Sequence, residues 1–468
     1  MFVQQLYTKC LSEAAYFIAD NGEAAVIDPM RDIDSYLELA KEHNATIKYI
    51  FETHFHADFV SGHLDLAKAT GATIVYGPNT NAAFEFHKAT DNEVFKIGNV
   101  TITALHTPGH TLESTCFLLK DENGKDYSIF TGDTLFVGDV GRPDLSSGNM
   151  SKDDLATLMY NSLNTKIKTL EDHVIVYPAH GPGSSCGKAL GAETFSTIGT
   201  QKATNYALQE MTQEDFVKAV TEGLNTPPAY FPINAQINAR GYESLNDVLT
   251  KALTKMSTDE VATYTTNHEV VILDTRSVEQ FTIGFVPGSI SIGLDGRFAE
   301  WAGSLLSFET PIILVTEQGK EQESAIRLSR VGLDNVIGYL EGGFEAWVAS
   351  GKEYDMIIDI EADELAMDMK FDEKLQVIDV RKEAEYDNGH IDTAENLPLH
   401  WLSDPLKLAN LDEDGNLYVH CAGGYRSVIA CSIMKREGFS NVRNVLKGYA
   451  AIKDTEGFNL VAEAKTLN

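Results

Sequence analysis

Four short stretches gather residue types that bind metal ions: Thr53-His54-Phe55-His56-Ala57-Asp58, Thr107-Pro108-Gly109-His110-Thr111, Thr131-Gly132-Asp133-Thr134 and Pro178-Ala179-His180-Gly181. Each follows an apolar, strand-like run and lies in a turn rich in Gly, Pro or Thr. Ligands in α/β proteins come from such strand-end loops, because a ligand must be held rigidly and yet reach an open cavity. Any one of the thirteen histidines, taken alone, reads best as a satisfied core or surface residue. Four punctuated motifs in succession read as a metal centre of imidazole and carboxylate donors, a set that iron and zinc both accept.

A second chemistry centres on cysteine. Cys421-Ala422-Gly423-Gly424-Tyr425-Arg426 joins a strand, Leu417 to His420, to a helix expected from Ser427. Backbone N–H groups and the helix dipole converge on the sulfur there and favour a thiolate or persulfide anion. Arg426 adds a charge that can hold sulfite or thiosulfate oxygens. Cys186 stands in Gly181-Pro182-Gly183-Ser184-Ser185-Cys186-Gly187-Lys188, shortly after His180. A thiol on a glycine-rich loop beside a cation can accept or relay sulfur; the alternative is a packed structural cysteine. In Gly141-Arg142-Pro143-Asp144, Arg142 either pairs with a substrate carboxylate or pins its loop by bonding Asp144. Cys10 and Cys116, in strand-like runs, and Cys431, on a helix interior, read as core.

The elements that must position these groups alternate strand-like runs with amphipathic helical segments, the pattern of α/β layers. Ala24 to Asp28 reads as a strand, Ile33 to Lys41 as a helix, and Lys48 to Glu52 as the strand that delivers the histidine-rich loop. The order strand, loop, helix is expected to continue to about residue 185, followed by helical stretches from Cys186 to Arg240. The C-terminal half repeats itself. Val271-Ile272-Leu273-Asp274-Thr275-Arg276 aligns with Gln376-Val377-Ile378-Asp379-Val380-Arg381 at an offset of 105, which also relates Gly284 to Gly389 and Thr316 to Cys421. Two copies of one domain therefore follow the first. In the earlier copy the loop reads Thr316-Glu317-Gln318-Gly319-Lys320-Glu321, so both Cys421 and Arg426 lack counterparts and a structural or interface role is expected.

The chain has 468 residues, 43% of them hydrophobic and 9% aromatic, enough for about three cored domains. A net charge of −32 repels phosphate backbones and anionic membranes, so neither nucleic acid nor membrane is an expected partner. No signal peptide and no membrane-spanning run is evident. Five scattered cysteines argue against a disulfide framework and for a reducing, cytoplasmic location.

Residues 1–185 resemble the metallo-β-lactamase superfamily, in its glyoxalase II-like branch, on the four metal motifs. Residues 360–460 resemble the rhodanese domain on Asp379-Val380-Arg381, Gly389-His390-Ile391, Asn396-Leu397-Pro398 and the cysteine loop, whose Cys-x4-Arg spacing is one residue shorter than in a phosphatase relative. These resemblances imply an α/β chain: an N-terminal αββα metallo-β-lactamase fold with a helical extension over 1–240, a degenerate rhodanese-like domain without its cysteine over 255–355, and a rhodanese domain with active Cys421 over 358–468, each rhodanese domain built on a central parallel sheet. Binuclear hydrolases of the superfamily carry His-x-His-x-Asp-His. Here Phe59 takes the last histidine's place and cannot donate to a second metal, while His63, one turn on, is a possible substitute.

Resemblance to persulfide dioxygenases implies His54, His110 and Asp133 on a single Fe(II), with positions left for O2 and a thiolate or persulfide. His56, Asp58 and His180 would orient those ligands; zinc is the alternative metal. The implied activity is oxidation of a low-molecular-weight thiol persulfide by O2 to sulfite, followed by transfer of sulfane sulfur from Cys421, helped by Arg426, to give thiosulfate. Cys186 is a further candidate catalytic residue, Arg142 a substrate-binding one, and a homo-oligomer is expected. The rivals are a zinc-dependent thioester hydrolase with an appended sulfurtransferase and a non-catalytic sulfur-carrier scaffold.

Overall fold

The computed structural model describes residues 1–145, 150–188 and 190–462, so the last six residues of the expected 358–468 domain lie outside it. The chain divides into two compact units: Met1–Asp247 with Ser329–Gly332, and Val248–Leu328 with Leu333–Asn468.

The first unit holds two six-stranded sheets. One begins with the antiparallel strands Phe2–Thr8, Glu13–Asp20 and Glu23–Ile27 and continues in parallel through Thr46–Phe51, Thr73–Tyr76 and His87–Lys88. The other runs Val94–Ile97, Val100–His106, Thr115–Lys120 and Asp126–Gly132 as an antiparallel meander, then adds Ile175–Pro178 in parallel to Asp126–Gly132 and ends with Ser196–Thr197 antiparallel to Ile175–Pro178. Alternation along each strand sends one set of side chains between the sheets. Tyr16, Ile27, Phe51 and Val75 meet Phe95, Ile102, Phe117 and Phe130 there in one buried cluster. The opposite faces are covered by helices: Asp34–Glu42 and His63–Thr70 pack Tyr36, Leu39 and Leu66 on the first sheet, and Lys152–Ser162 and Gln213–Thr221 pack on the second. This is the αββα sandwich. It differs from the sequence expectation between residues 94 and 132, where four strands follow one another with no helix, because short turns suffice to join antiparallel neighbours.

The second unit contains the repeat. Its two five-stranded sheets have the same order. The first is Lys255–Met256, Val336–Leu340, Ile312–Val315, Val271–Asp274 and Ile290–Ser291; the second is Ile358–Ile360, Val442–Val445, Asn416–His420, Leu375–Asp379 and Glu395–Asn396. Every pairing in them is parallel. Among the described residues no helix is long and apolar enough to cross a membrane.

Candidate functional site

Strand ends of both sheets in the first unit deliver the four motifs to one place. His54 follows Thr46–Phe51, His110 follows Val100–His106, Asp133 follows Asp126–Gly132, and His180 follows Ile175–Pro178. His54, His110 and Asp133 are buried and place their donor atoms within 4.8 Å of one another. His110 Nε2 lies 3.4 Å from Asp133 Oδ2, and His54 Nε2 lies 3.9 Å from the same oxygen.

The other ring nitrogens fix which tautomers face inward. His110 Nδ1 is 2.8 Å from the carbonyl oxygen of Arg142, an acceptor only, so Nδ1 carries the hydrogen. Thr53 gives its single hydroxyl proton to Asp28 at 2.9 Å, so it accepts from His54 Nδ1 at 2.9 Å. Both Nε2 atoms therefore present lone pairs to a carboxylate. Asp133 Oδ1 and Oδ2 are buried and have no hydrogen-bond partner among the described residues. Two imidazole lone pairs, each ring oriented from behind, and a buried carboxylate face one point, an arrangement that repels unless a cation sits between them. The residues thus fit a metal ion. Gly141 is required beside them, because a Cβ there would come within 2.1 Å of the Asp133 carbonyl oxygen.

The other oxygen of Asp133 faces a second group. His180 Nε2 stands 3.4 Å from Asp133 Oδ1 and 3.4 Å from Asp58 Oδ2, with Nδ1 donating to the Ser12 carbonyl at 3.2 Å. Asp58, His180 and Cys186 form a buried cluster of potential donors. Burial, with Asp58 and Asp133 nearby, pushes the Cys186 thiol well up. The cation expected beside it is turned elsewhere, since Lys188 Nζ donates to the carbonyls of Ala219 and Glu222.

His56 does not join either group. Its Nε2 lies 3.1 Å from Asp28 Oδ1 and 3.6 Å from Glu52 Oε2. Burial disfavours charge on this ring, but Asp28 and Glu52 outweigh it and hold its pKa up at about 9. Phe59 packs against it with ring centroids 4.3 Å apart. His63, the possible substitute ligand, faces Glu52 at 3.6 Å and the rings of Phe84 and Tyr242; burial drives its pKa down to about 3. Arg142 is spent on its own loop: it holds Asp144 through two bonds of 2.6 and 2.8 Å and also donates to the carbonyls of Asn225 and Ser185. Of its two alternatives, the structure contains the loop pin.

In the second unit, Cys421 is buried at the start of its loop, and Gly424 donates its N–H to Sγ at 3.1 Å. The helix Tyr425–Arg436 begins two residues earlier than expected, because left-handed Gly424 (φ 110) turns the chain directly into it. Arg426 thus lies in the first helical turn, where it pairs with both oxygens of Glu385 at 2.7 and 2.8 Å. A Cβ on Gly448 would come within 2.2 Å of the Cys421 carbonyl oxygen, so the loop is braced by close backbone. In the first copy, Thr316 Oγ1 bonds the Glu317 carbonyl at 2.9 Å. Cys116 and Cys431 are core residues; Cys10 instead lies half-buried in a turn just after Phe2–Thr8.

Sequence reasoning missed Asp28, which holds Thr53 through both N–H and hydroxyl, and Ser12. Asp28, directly after a strand and before Pro29 with a left-handed φ of 50°, was the available signal.

Residues 8–180 match the metallo-beta-lactamase superfamily, and residues 257–350 and 361–455 each match the rhodanese-like domain. A metallo-beta-lactamase from Staphylococcus aureus subsp. aureus COL is 35% identical with a TM-score of 0.64, the match covering 73% of this chain and 98% of that one. The chain belongs to the metallo-β-lactamase superfamily. Within this superfamily chain, the metal-binding fold is followed by two rhodanese-like domains. The superfamily member is also similar to the mitochondrial persulfide dioxygenase ETHE1 of Bos taurus, 28% identical over 48% of this chain and 83% of the relative. A probable hydroxyacylglutathione hydrolase of Schizosaccharomyces pombe is 33% identical over 34% of this chain. The chain spans only about three fifths of the length of that hydrolase and of its Dictyostelium discoideum counterpart, 59% and 61%.

Proposed function

We propose that this protein is a persulfide dioxygenase coupled to a sulfurtransferase. The observation that carries the reading is the converging set of two imidazoles and one carboxylate, His54, His110 and Asp133, with Phe59 where a further histidine would serve a second metal. Similarity to persulfide dioxygenase ETHE1 and the cysteine loop in the same chain support it. Iron(II), when bound, supplies the redox chemistry with dioxygen that such an oxidation needs.

The overall first reaction consumes one persulfide, one O2 and one water and releases thiol, sulfite and two protons. His54 and His110 present fixed lone pairs, Asp133 supplies the negative charge, and the burial of all three keeps bulk water away from them. In the second reaction the sulfite lone pair attacks the outer sulfur of a Cys421 persulfide. A new S–S bond forms as the old one breaks, thiosulfate leaves, and the electron pair stays on Cys421, where the Gly424 N–H stabilises it.

The test is oxygen uptake by the iron-loaded full chain given glutathione, coenzyme A or cysteine persulfide, with sulfite and thiosulfate quantified. His110→Ala should abolish uptake. A chain that is inert towards every persulfide at full iron occupancy disproves the reading. Thioester hydrolysis on two zinc ions is the second reading, favoured by the Asp58, His180 and Asp133 Oδ1 grouping; two zinc ions per chain with thioesterase activity would establish it instead.

A further inference from the structure

A line of hydrogen-bonding side chains leads from the Cys421 sulfur into the first rhodanese-like copy. Ser427 Oγ lies 3.6 Å from Cys421 Sγ and 2.6 Å from Asn444 Oδ1. Asn444 Nδ2 donates to Asp359 Oδ1 at 2.8 Å. Thr282, on the first copy's helix Val278–Ile283, donates its hydroxyl to Asp359 Oδ2 at 2.7 Å. Ser427, Asn444 and Thr282 are buried, whereas Asp359 borders a cavity of about 500 Å³ that both copies line.

The direction of each bond follows from counting protons. A carboxylate only accepts, so Asp359 holds Asn444 with its amide nitrogen on the Asp359 side and its oxygen towards Ser427. Ser427 has one hydroxyl proton, and Asn444 Oδ1 at 2.6 Å and the Gly424 carbonyl at 2.9 Å are nearer and stronger acceptors for it than Cys421 Sγ at 3.6 Å. Either way the proton points away from the sulfur, and Ser427 turns a lone pair towards Cys421. A lone pair there stabilises S–H and opposes a sulfur anion. If Asn444 turned over, its amide would donate to Ser427 and leave the hydroxyl proton shared between the Gly424 carbonyl and the sulfur.

We propose that Asp359 is a positioning residue for Cys421: by fixing Asn444 it makes Ser427 an acceptor towards the sulfur and so holds the resting cysteine as a thiol, while the first copy, through Thr282, keeps Asp359 in place. The copy that lost its own cysteine thereby sets the reactivity of its neighbour's. The inference rests on the proposed function only in taking Cys421 as the reactive sulfur. Besides Asp359, the charged groups near that sulfur are Arg426 with Glu385, and the Asp379–Arg381 pair beside His420; the variants below leave these intact, and Asp359→Asn removes the same charge as Asp359→Ala, which separates loss of the bond from loss of the charge.

The experiment is alkylation of Cys421 in the full chain by iodoacetamide from pH 5 to 9, followed by peptide mass spectrometry. It needs neither metal nor turnover, so its failure is separable from failure of the proposed activity. Removing the latch should quicken alkylation at pH 7 about five- to tenfold, the value of one hydrogen bond. Asp359→Ala should show this and move the alkylation midpoint to lower pH. Asp359→Asn, whose carbonyl can still receive the Asn444 amide, should stay near wild type. Ser427→Ala should also alkylate faster, and Thr282→Val about twofold faster. Slower alkylation of Ser427→Ala would mean that the serine donates to the sulfur, and wild-type behaviour of Asp359→Ala would mean that the chain of bonds has no hold on it; either result overturns the proposal. Should Asp359→Ala fail to fold, Ser427→Ala and Thr282→Val still decide it.

Discussion

The two rhodanese-like copies share a frame and differ in a loop. In the first, Arg276 binds both oxygens of Asp274 and the Gly284 carbonyl, and stacks 4.4 Å from the Phe344 ring centroid. In the second, Arg381 binds both oxygens of Asp379 and the Gly389 carbonyl, and stacks 3.9 Å from Tyr449. The same buried ion pair thus ties the same turn to the same strand in both. Yet one loop carries Cys421 and Arg426, and the other carries Thr316 and Glu321. Scaffold and chemistry are therefore separable: the frame is retained for what it does to the fold, whether or not a reactive sulfur stands above it.

The largest effect that would sharpen this contrast comes from the loop. Cys421→Ser is expected to reduce thiosulfate formation by several orders of magnitude, as for removal of other covalent nucleophiles, with oxygen uptake retained. Thr316→Ala should leave both within twofold. Equal losses from the two variants would erase the distinction between the copies. The next effect tests the frame. Asp379→Ala and Asp274→Ala each leave a buried guanidinium uncompensated and should each cost about 3–5 kcal/mol in urea unfolding; if only the second copy's variant is destabilising, the frames are not equivalent.

The smallest effect concerns Glu385, whose counterpart at the same offset is Gln280. Burial raises the Glu385 carboxyl, but the bonds and charge of Arg426 outweigh it and hold it below the usual range. A carboxylate lowered in the folded state adds stability above its unfolded pKa, and that contribution is lost as pH falls through the acid range. Because the side chain is partly open to water, Glu385→Gln should cost less than about 1 kcal/mol at pH 7 and measurably less at about pH 4, where the unfolded carboxylate takes up its proton. Calorimetric scans at the two pH values measure this. An identical cost at both would place the effect in packing instead.

Much of this was legible before any coordinates. Histidines and an aspartate after apolar runs marked residues that the fold brings together, since strand ends are where α/β sheets gather loops. The constant offset revealed the repeat, and the rhodanese resemblance implied its parallel sheets. What could not be read was direction. His56 is two residues from His54 but swings towards Asp28, which follows the neighbouring strand Glu23–Ile27, and back towards Glu52 at the start of its own loop. Lys188 is two residues from Cys186 yet reaches for carbonyls over thirty positions on, so a thiol that looked cation-assisted sits among carboxylates. Arg142 carried two readings until Asp144 and two backbone carbonyls claimed its donors. The Thr282, Asp359 and Asn444 line crosses between copies, and no local pattern announces it.

Asp133 and His180 owe their closeness to a direct pairing of neighbouring strands, Phe130 with Tyr177 and Gly132 with Pro178, although more than forty residues separate them in sequence. A slip of one residue between those strands would slide one loop past the other by about 3.3 Å and reverse which way its side chains project. Such an error would turn core side chains such as Val176 away from their cluster and would dismantle the centre completely. Metal capture therefore reports whether the second sheet has zipped correctly, and it rewards only the chain that has.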